Sequence, residues 1–132
     1  MAVTNLVNDP VMVDTTLDSI TIRKDIAGII GGASLDVTGF APTVIRSGHV
    51  VIKETATGVF KPMPVNAAGN AYEALPAGHT IEGVVRASTS TSKPMVGILY
   101  HGEVNEATSP YPVTTAIKAA LPDIKYAKDE RR

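Results

Sequence analysis

The sequence of 132 residues contains no cysteine and no tryptophan, and only 5% of its residues are aromatic. Without cysteine, the chain has no disulfide bond, no thiolate nucleophile and no cysteine-ligated zinc. Hydrophobic residues nevertheless make up 44% of the sequence. Because the length is that of a single domain, we expect one core, built mainly from aliphatic side chains.

The chain also lacks an excess of either charge and lacks long apolar runs. Twelve basic and 13 acidic residues give a formal net charge of -1, whereas nucleic-acid binding needs clustered positive charge. The longest apolar stretch, DIAGIIGGASL, is interrupted by three glycines, and the N-terminus has no basic segment ahead of an apolar one. The composition therefore predicts a soluble, unprocessed protein that binds neither nucleic acid nor membranes.

The first 38 residues differ from the remainder of the chain. They include two basic and five acidic residues and no aromatic residue, which indicates an extended arm rather than part of a core. Within this segment, DSITIRK alternates apolar and polar residues, a pattern typical of a half-buried strand that pairs either with a partner or with its own domain. The glycines of GIIGGAS then indicate a flexible connection.

From residue 39 onward, short β-branched runs alternate with turn residues and predict a mainly β (α+β) domain. Strands are expected at residues 49–53, 58–61, 80–87 and 95–100, and TSTSK is expected to be a solvated loop. One helix is predicted in the C-terminal half, capped by Ser109 and ended by Pro122. Its apolar stripe contains Val113, Ala116, Ile117, Ala120 and Leu121. DIKYA is expected to form a last strand, and KDERR a frayed end.

The segment VGILYHGEVNEAT places His101 and Glu103 at the expected end of an apolar strand. A small hydrolase or metal enzyme that uses these residues and a second histidine is one hypothesis. However, His49, His79 and His101 are too far apart in sequence to match a local metal-binding motif, so we expect all three at turns with exposed rings. The chain has no Gly-x-Ser-x-Gly elbow and no phosphate-binding glycine motif. We therefore assign no catalytic, metal or cofactor residue, and predict no enzyme activity.

Three motifs in order give the sequence its resemblance to a known family. They are RSGHVVIKETATGVFKPM, LPAGHTIEGVVRAS, and an apolar strand that runs into HGEVN. The helix that ends in AIKAALPDIKY follows them. Over residues 40–127 this order of elements resembles the head decoration (auxiliary capsid) proteins of tailed bacteriophages, of the lambda type, and the ALP-x-I segment is similar to that of phage head fibre proteins.

The resemblance implies a β-clip or β-tulip-like domain at residues 39–132 that forms a homotrimer near the threefold positions of an icosahedral head. The protein would be made in the host cytoplasm, sit on the outer surface of the virion capsid, and stabilise the shell. An arm at residues 1–38 would add a strand to the major capsid protein. The matching arm residues are Ser19, Ile20, Thr21, Ile22 and Arg23, with Ile20 and Ile22 as anchors.

Two further interpretations of the sequence remain open. His101 and Glu103 are candidates for a trimer or capsid contact. The chain is alternatively a module that binds carbohydrate or a host surface and is displayed on the capsid, although four tyrosines and two phenylalanines provide few stacking platforms for sugars.

Overall fold

The computed structural model describes residue 13 and residues 15–128 of the chain. This part of the chain is mainly β, with a helix in its C-terminal half, as the sequence predicts. Its helices are α1 (Asp18–Thr21) and α2 (Thr115–Ala120), and a single 3-10 turn spans Glu106–Thr108. The strands are β1 (Ile22–Ser34), β2 (Val44–Ile45), β3 (Val50–Glu54), β4 (Phe60–Pro62), β5 (His79–Val85), β6 (Thr89–Ser90), β7 (Met95–Asn105) and β8 (Ile124–Ala127).

A six-stranded sheet organises the molecule around β7. Its strand order is β1-β7-β5-β3-β4, and all of these neighbours are antiparallel. Strand β8 pairs in parallel with the second half of β7, from Gly102 to Asn105. The short strands β2 and β6 form a separate two-stranded sheet. The apolar strand β7 is therefore central, as its sequence predicts.

The core consists of two aliphatic clusters. Ile98 and Leu99 are successive residues of β7, both fully buried, and they belong to different clusters. Because successive side chains of a strand point to opposite faces, both faces of the sheet are covered. One cluster includes Ile117 and Leu121 from α2 and the residue that follows it, and the other includes Leu35 and Ile45.

The strands β3, β4, β5 and β7 lie within two residues of their predicted starts, but the predicted end of β7 at residue 100 was wrong. The strand continues for five residues to Asn105, through His101 and Gly102. The predicted bend is absent from β7 because β1 pairs with one edge of this polar half and β8 pairs with the other. Backbone pairing on both edges compensates for the weak β-pattern of HGEVN.

The structure also corrects the secondary structure predicted for residues 18–34. Asp18–Thr21 is a single helical turn, and the strand begins only at Ile22. The segment GIIGGAS is part of β1 rather than a flexible connection. Gly28 is required there for close approach, since a Cβ at this position would overlap the carbonyl group of Ile98 in β7. The strand from Ile22 to Ser34 pairs with its own chain.

The C-terminal helix is shorter than its pattern predicts. It begins at Thr115, and the Thr114 hydroxyl, not Ser109, caps it by accepting a hydrogen bond from the Ile117 amide at 3.3 Å. Ser109 instead follows the 3-10 turn. The last strand is confirmed as β8, and Thr89 and Ser90 of the predicted TSTSK loop form β6. No helix in the described ranges is long and apolar enough to span a membrane, and residues 129–132 of KDERR lie outside these ranges.

Candidate functional site

The predicted arm residues lie where α1 joins β1, and part of this segment is fixed to the domain. The Asp18 carboxylate accepts hydrogen bonds from the Ser88 amide at 2.8 Å and from the Ser88 hydroxyl at 2.7 Å. Thr21 is 1% exposed, and its hydroxyl donates to the Leu17 carbonyl at 2.8 Å and lies 3.1 Å from the Thr108 hydroxyl. These contacts hold the helical turn against the rest of the chain, so Thr21 does not offer its side chain to a partner in this arrangement.

Two apolar side chains of the same segment point away from the core. Leu17 is 46% exposed and Ile20 is 48% exposed. They are three residues apart across a helical turn and therefore lie on one face of it. Of the two anchors predicted from sequence, Ile20 is available at the surface, whereas Ile22 is partly buried against the core. Sequence reasoning missed Leu17, because its signal is the helical spacing to Ile20 and the segment was interpreted as a strand.

Strand β1 forms one edge of the sheet, and its outer edge pairs with no strand among the described residues. Its register with β7 shifts at four places, two of them between Ile22 and Ala27. The three charged residues Arg23, Lys24 and Asp25 lie in this irregular part. Bulges and charges on an edge strand oppose the addition of another strand. The first half of β1 is thus protected against edge pairing, although the edge is long.

His101 and Glu103 lie in β7, not at a turn. His101 is exposed and pairs with Ala27 of β1, and Glu103 pairs with Lys24. The Glu103 carboxylate lies 3.8 Å from the Lys125 ammonium of β8. Within residues 15–128, no three His, Asp or Glu side chains are close enough together to hold a metal ion. The structure therefore does not assemble the metal site that was one hypothesis from the sequence.

His49 is buried, which corrects the expectation of an exposed ring. It is 1% exposed, and its Nε2 atom lies 3.0 Å from the Met63 carbonyl oxygen, so Nε2 carries the donated proton. The rings of Phe40, Tyr72 and Tyr111 meet it edge-on at centroid distances of 5.3, 5.2 and 5.6 Å. Burial lowers the pKa of His49 to about 4. The ring is thus a neutral packing centre for three aromatic residues from separate loops.

His79 has a charged partner, Lys61. Its Nδ1 atom donates to the Ala77 carbonyl at 2.9 Å, which leaves Nε2 to accept from the Lys61 ammonium at 3.3 Å. The Lys61 ammonium also forms an ion pair with the Glu54 carboxylate at 3.3 Å. The hydrogen bond that Lys61 donates in this pair is the main cause that lowers the pKa of Glu54. These contacts with Glu54 and His79 fix the position of the Lys61 ammonium.

Comparison of the chain with protein-family models, with curated proteins and with solved structures found no match. What the structure defines is a mainly β domain with one central strand, two aliphatic core clusters and an exposed apolar pair at its N-terminal helical turn.

Proposed function

We propose that the protein is a structural virion protein that decorates the outer surface of a phage head as a homotrimer. It binds the major capsid protein through its N-terminal segment and thereby stabilises the shell. The observation that carries the proposal is the exposed pair Leu17 and Ile20, which leaves apolar surface on the element that connects residues 1–16 to the domain. The order of the sequence motifs and the mainly β fold also support it.

The structure changes which residues are proposed to make the contact. The pairing of Ile22 with Val104 already occupies one edge of this strand, and the outer edge there is irregular and charged, which opposes strand addition at residues 22 and 23. We therefore assign Leu17 and Ile20 the role of apolar anchors through which the N-terminal segment contacts the capsid. Covering half-exposed side chains of this size contributes about 1 kcal/mol each. Three arms in one trimer then raise the avidity for the shell.

The test is binding to empty heads of the source phage that were assembled without this protein. We expect the wild-type trimer to cosediment with the heads, and the double variant Leu17→Gln, Ile20→Gln to bind about tenfold more weakly or worse, since two apolar contacts are lost. The matched control is Leu75→Gln, because Leu75 is 41% exposed but lies far along the chain from this segment.

Two results would contradict the proposal. A wild-type protein that is monomeric in sedimentation and never binds heads would exclude capsid decoration. A double variant that is folded and binds as tightly as the Leu75 control would leave decoration standing but exclude Leu17 and Ile20 as its anchors.

A further inference from the structure

A cleft of about 350 Å³ lies between the loop at residues 36–41, strand β4 and the segment that leads into β5. This volume is at the small end of the range of small-molecule sites. The cleft has an apolar lining that includes Phe40, Ile52, Pro62, Pro64, Val65 and Pro76. Its rim is polar and includes Asp36, Thr38, Lys61, Glu73 and His79. An apolar floor with a few polar groups is the usual composition of a binding site.

The rim offers both a donor and an acceptor. Lys61 has three N–H donors, of which the contacts with Glu54 and His79 engage two. Asp36 accepts hydrogen bonds from the Thr38 amide at 3.0 Å and the Thr38 hydroxyl at 2.7 Å, both through Oδ1. These two bonds are the main causes that lower the pKa of Asp36, with a smaller contribution from Lys61. The carboxylate is therefore ionised at neutral pH. Its Oδ2 atom can accept a hydrogen bond from a ligand but cannot donate one.

The balance of charges decides which ligand chemistry fits. An anion beside Lys61 would also face Asp36 and Glu73, and a cation beside these carboxylates would face Lys61. A neutral ligand that both donates and accepts hydrogen bonds avoids either repulsion. The apolar floor adds a second requirement, a ligand with a C–H face that can cover Phe40 and the prolines. A sugar ring meets both requirements, because it has hydroxyl groups around its edge and C–H groups on its faces.

We propose that this cleft binds one neutral sugar unit, with the ring packed on Phe40 and its hydroxyl groups bonded to Asp36 and Lys61. Such a site needs only one aromatic side chain, so the low aromatic content of the chain does not exclude it. The proposal does not depend on capsid decoration, since the cleft is formed within one chain and does not include Leu17 or Ile20.

The test is a titration of the ¹⁵N-labelled full chain, followed by amide chemical shifts. The probes are the methyl glycosides of glucose, galactose, mannose and N-acetylglucosamine. We expect at least one of them to produce saturable shifts at Thr38, Lys61 and His79, with a dissociation constant in the millimolar range. Asp36→Asn removes the charge but keeps an oxygen that can accept from Thr38, and we expect it to weaken binding about tenfold.

The control variant is Asp123→Asn, which removes an exposed carboxylate from a separate groove and is expected to bind as the wild type does. The amide spectrum of each variant reports directly whether it is folded. The proposal is overturned if none of the four glycosides gives saturable shifts, if the shifts lie outside the cleft, or if the two variants bind equally well.

Discussion

At the scale of single residues, His49 shows how a neutral polar ring serves as a core residue. Its one proton is donated to the Met63 carbonyl, and its faces and edges contact three aromatic rings. Met63, Phe40, Tyr72 and Tyr111 thus meet at one side chain. Charging this ring in place would require a buried cation without a counter-charge, which is costly.

This burial predicts a specific loss of stability in acid. The pKa of His49 lies near 4 in the folded chain, below its ordinary value of 6.5, so the folded state binds fewer protons than the unfolded state between these values. The contribution of the neutral His49 ring to the free energy of unfolding is complete above pH 6.5. It decreases by about 3 kcal/mol in all as the pH falls toward 4. Urea unfolding at several pH values measures it. His49→Gln should flatten this slope, whereas His101→Gln, at an exposed histidine, should keep it; equal slopes in wild type and His49→Gln would refute the assignment.

At the scale of elements, the pairing of β1 with β7 depends on glycine. A Cβ at Gly102 would overlap the backbone oxygen of Lys24, which is part of β1 and cannot move aside as a flexible side chain can. We expect Gly102→Ala to lower the free energy of unfolding by about 2 to 4 kcal/mol. Gly31 in β1 is the control, because a Cβ there meets nothing within 4 Å and its φ is not positive. Gly31→Ala should stay within about 0.5 kcal/mol of wild type; a similar loss in both variants would exclude the overlap as the cause.

The same elements show what local sequence can predict here. The apolar half of β7 was predicted because its side chains fill both core clusters, and β3 and β5 were predicted for the same reason. The polar half of β7 was not, since its strand conformation depends on hydrogen bonds to β1 and β8, which are remote in sequence. Likewise, the alternation of DSITIRK favours a strand, but two other contacts favour a helical turn. The Asp18 carboxylate accepts hydrogen bonds from Ser88, and the Thr21 hydroxyl donates to the Leu17 carbonyl. The cleft combines residues of β3, β4 and β5 with residues of loops whose path no local pattern indicates.

At the scale of the whole molecule, the question is which residue marks the boundary between an N-terminal arm and the folded domain. A boundary at residue 38 was predicted from composition, yet Ile22–Ser34 is a strand of the main sheet. The contacts of Asp18 and Thr21 extend this attachment to the helical turn before it. We therefore expect the domain to include the helical turn at Asp18–Thr21 and all of β1.

Two truncations test this boundary. Removal of residues 1–14 keeps every contact of Asp18, Thr21 and β1 named above, so its free energy of unfolding serves as the reference. Removal of residues 1–25 should lower it by about 4 kcal/mol or more, because it deletes the charge-assisted bonds of Asp18, the packing of Ile22 and the 2.7 Å ion pair between Asp25 and Arg86. Denaturant unfolding measures both. If the shorter deletion also unfolds the chain, residues 1–14 belong to the domain; if the longer one leaves stability intact, the arm extends into β1 and the pairing with β7 is dispensable for folding.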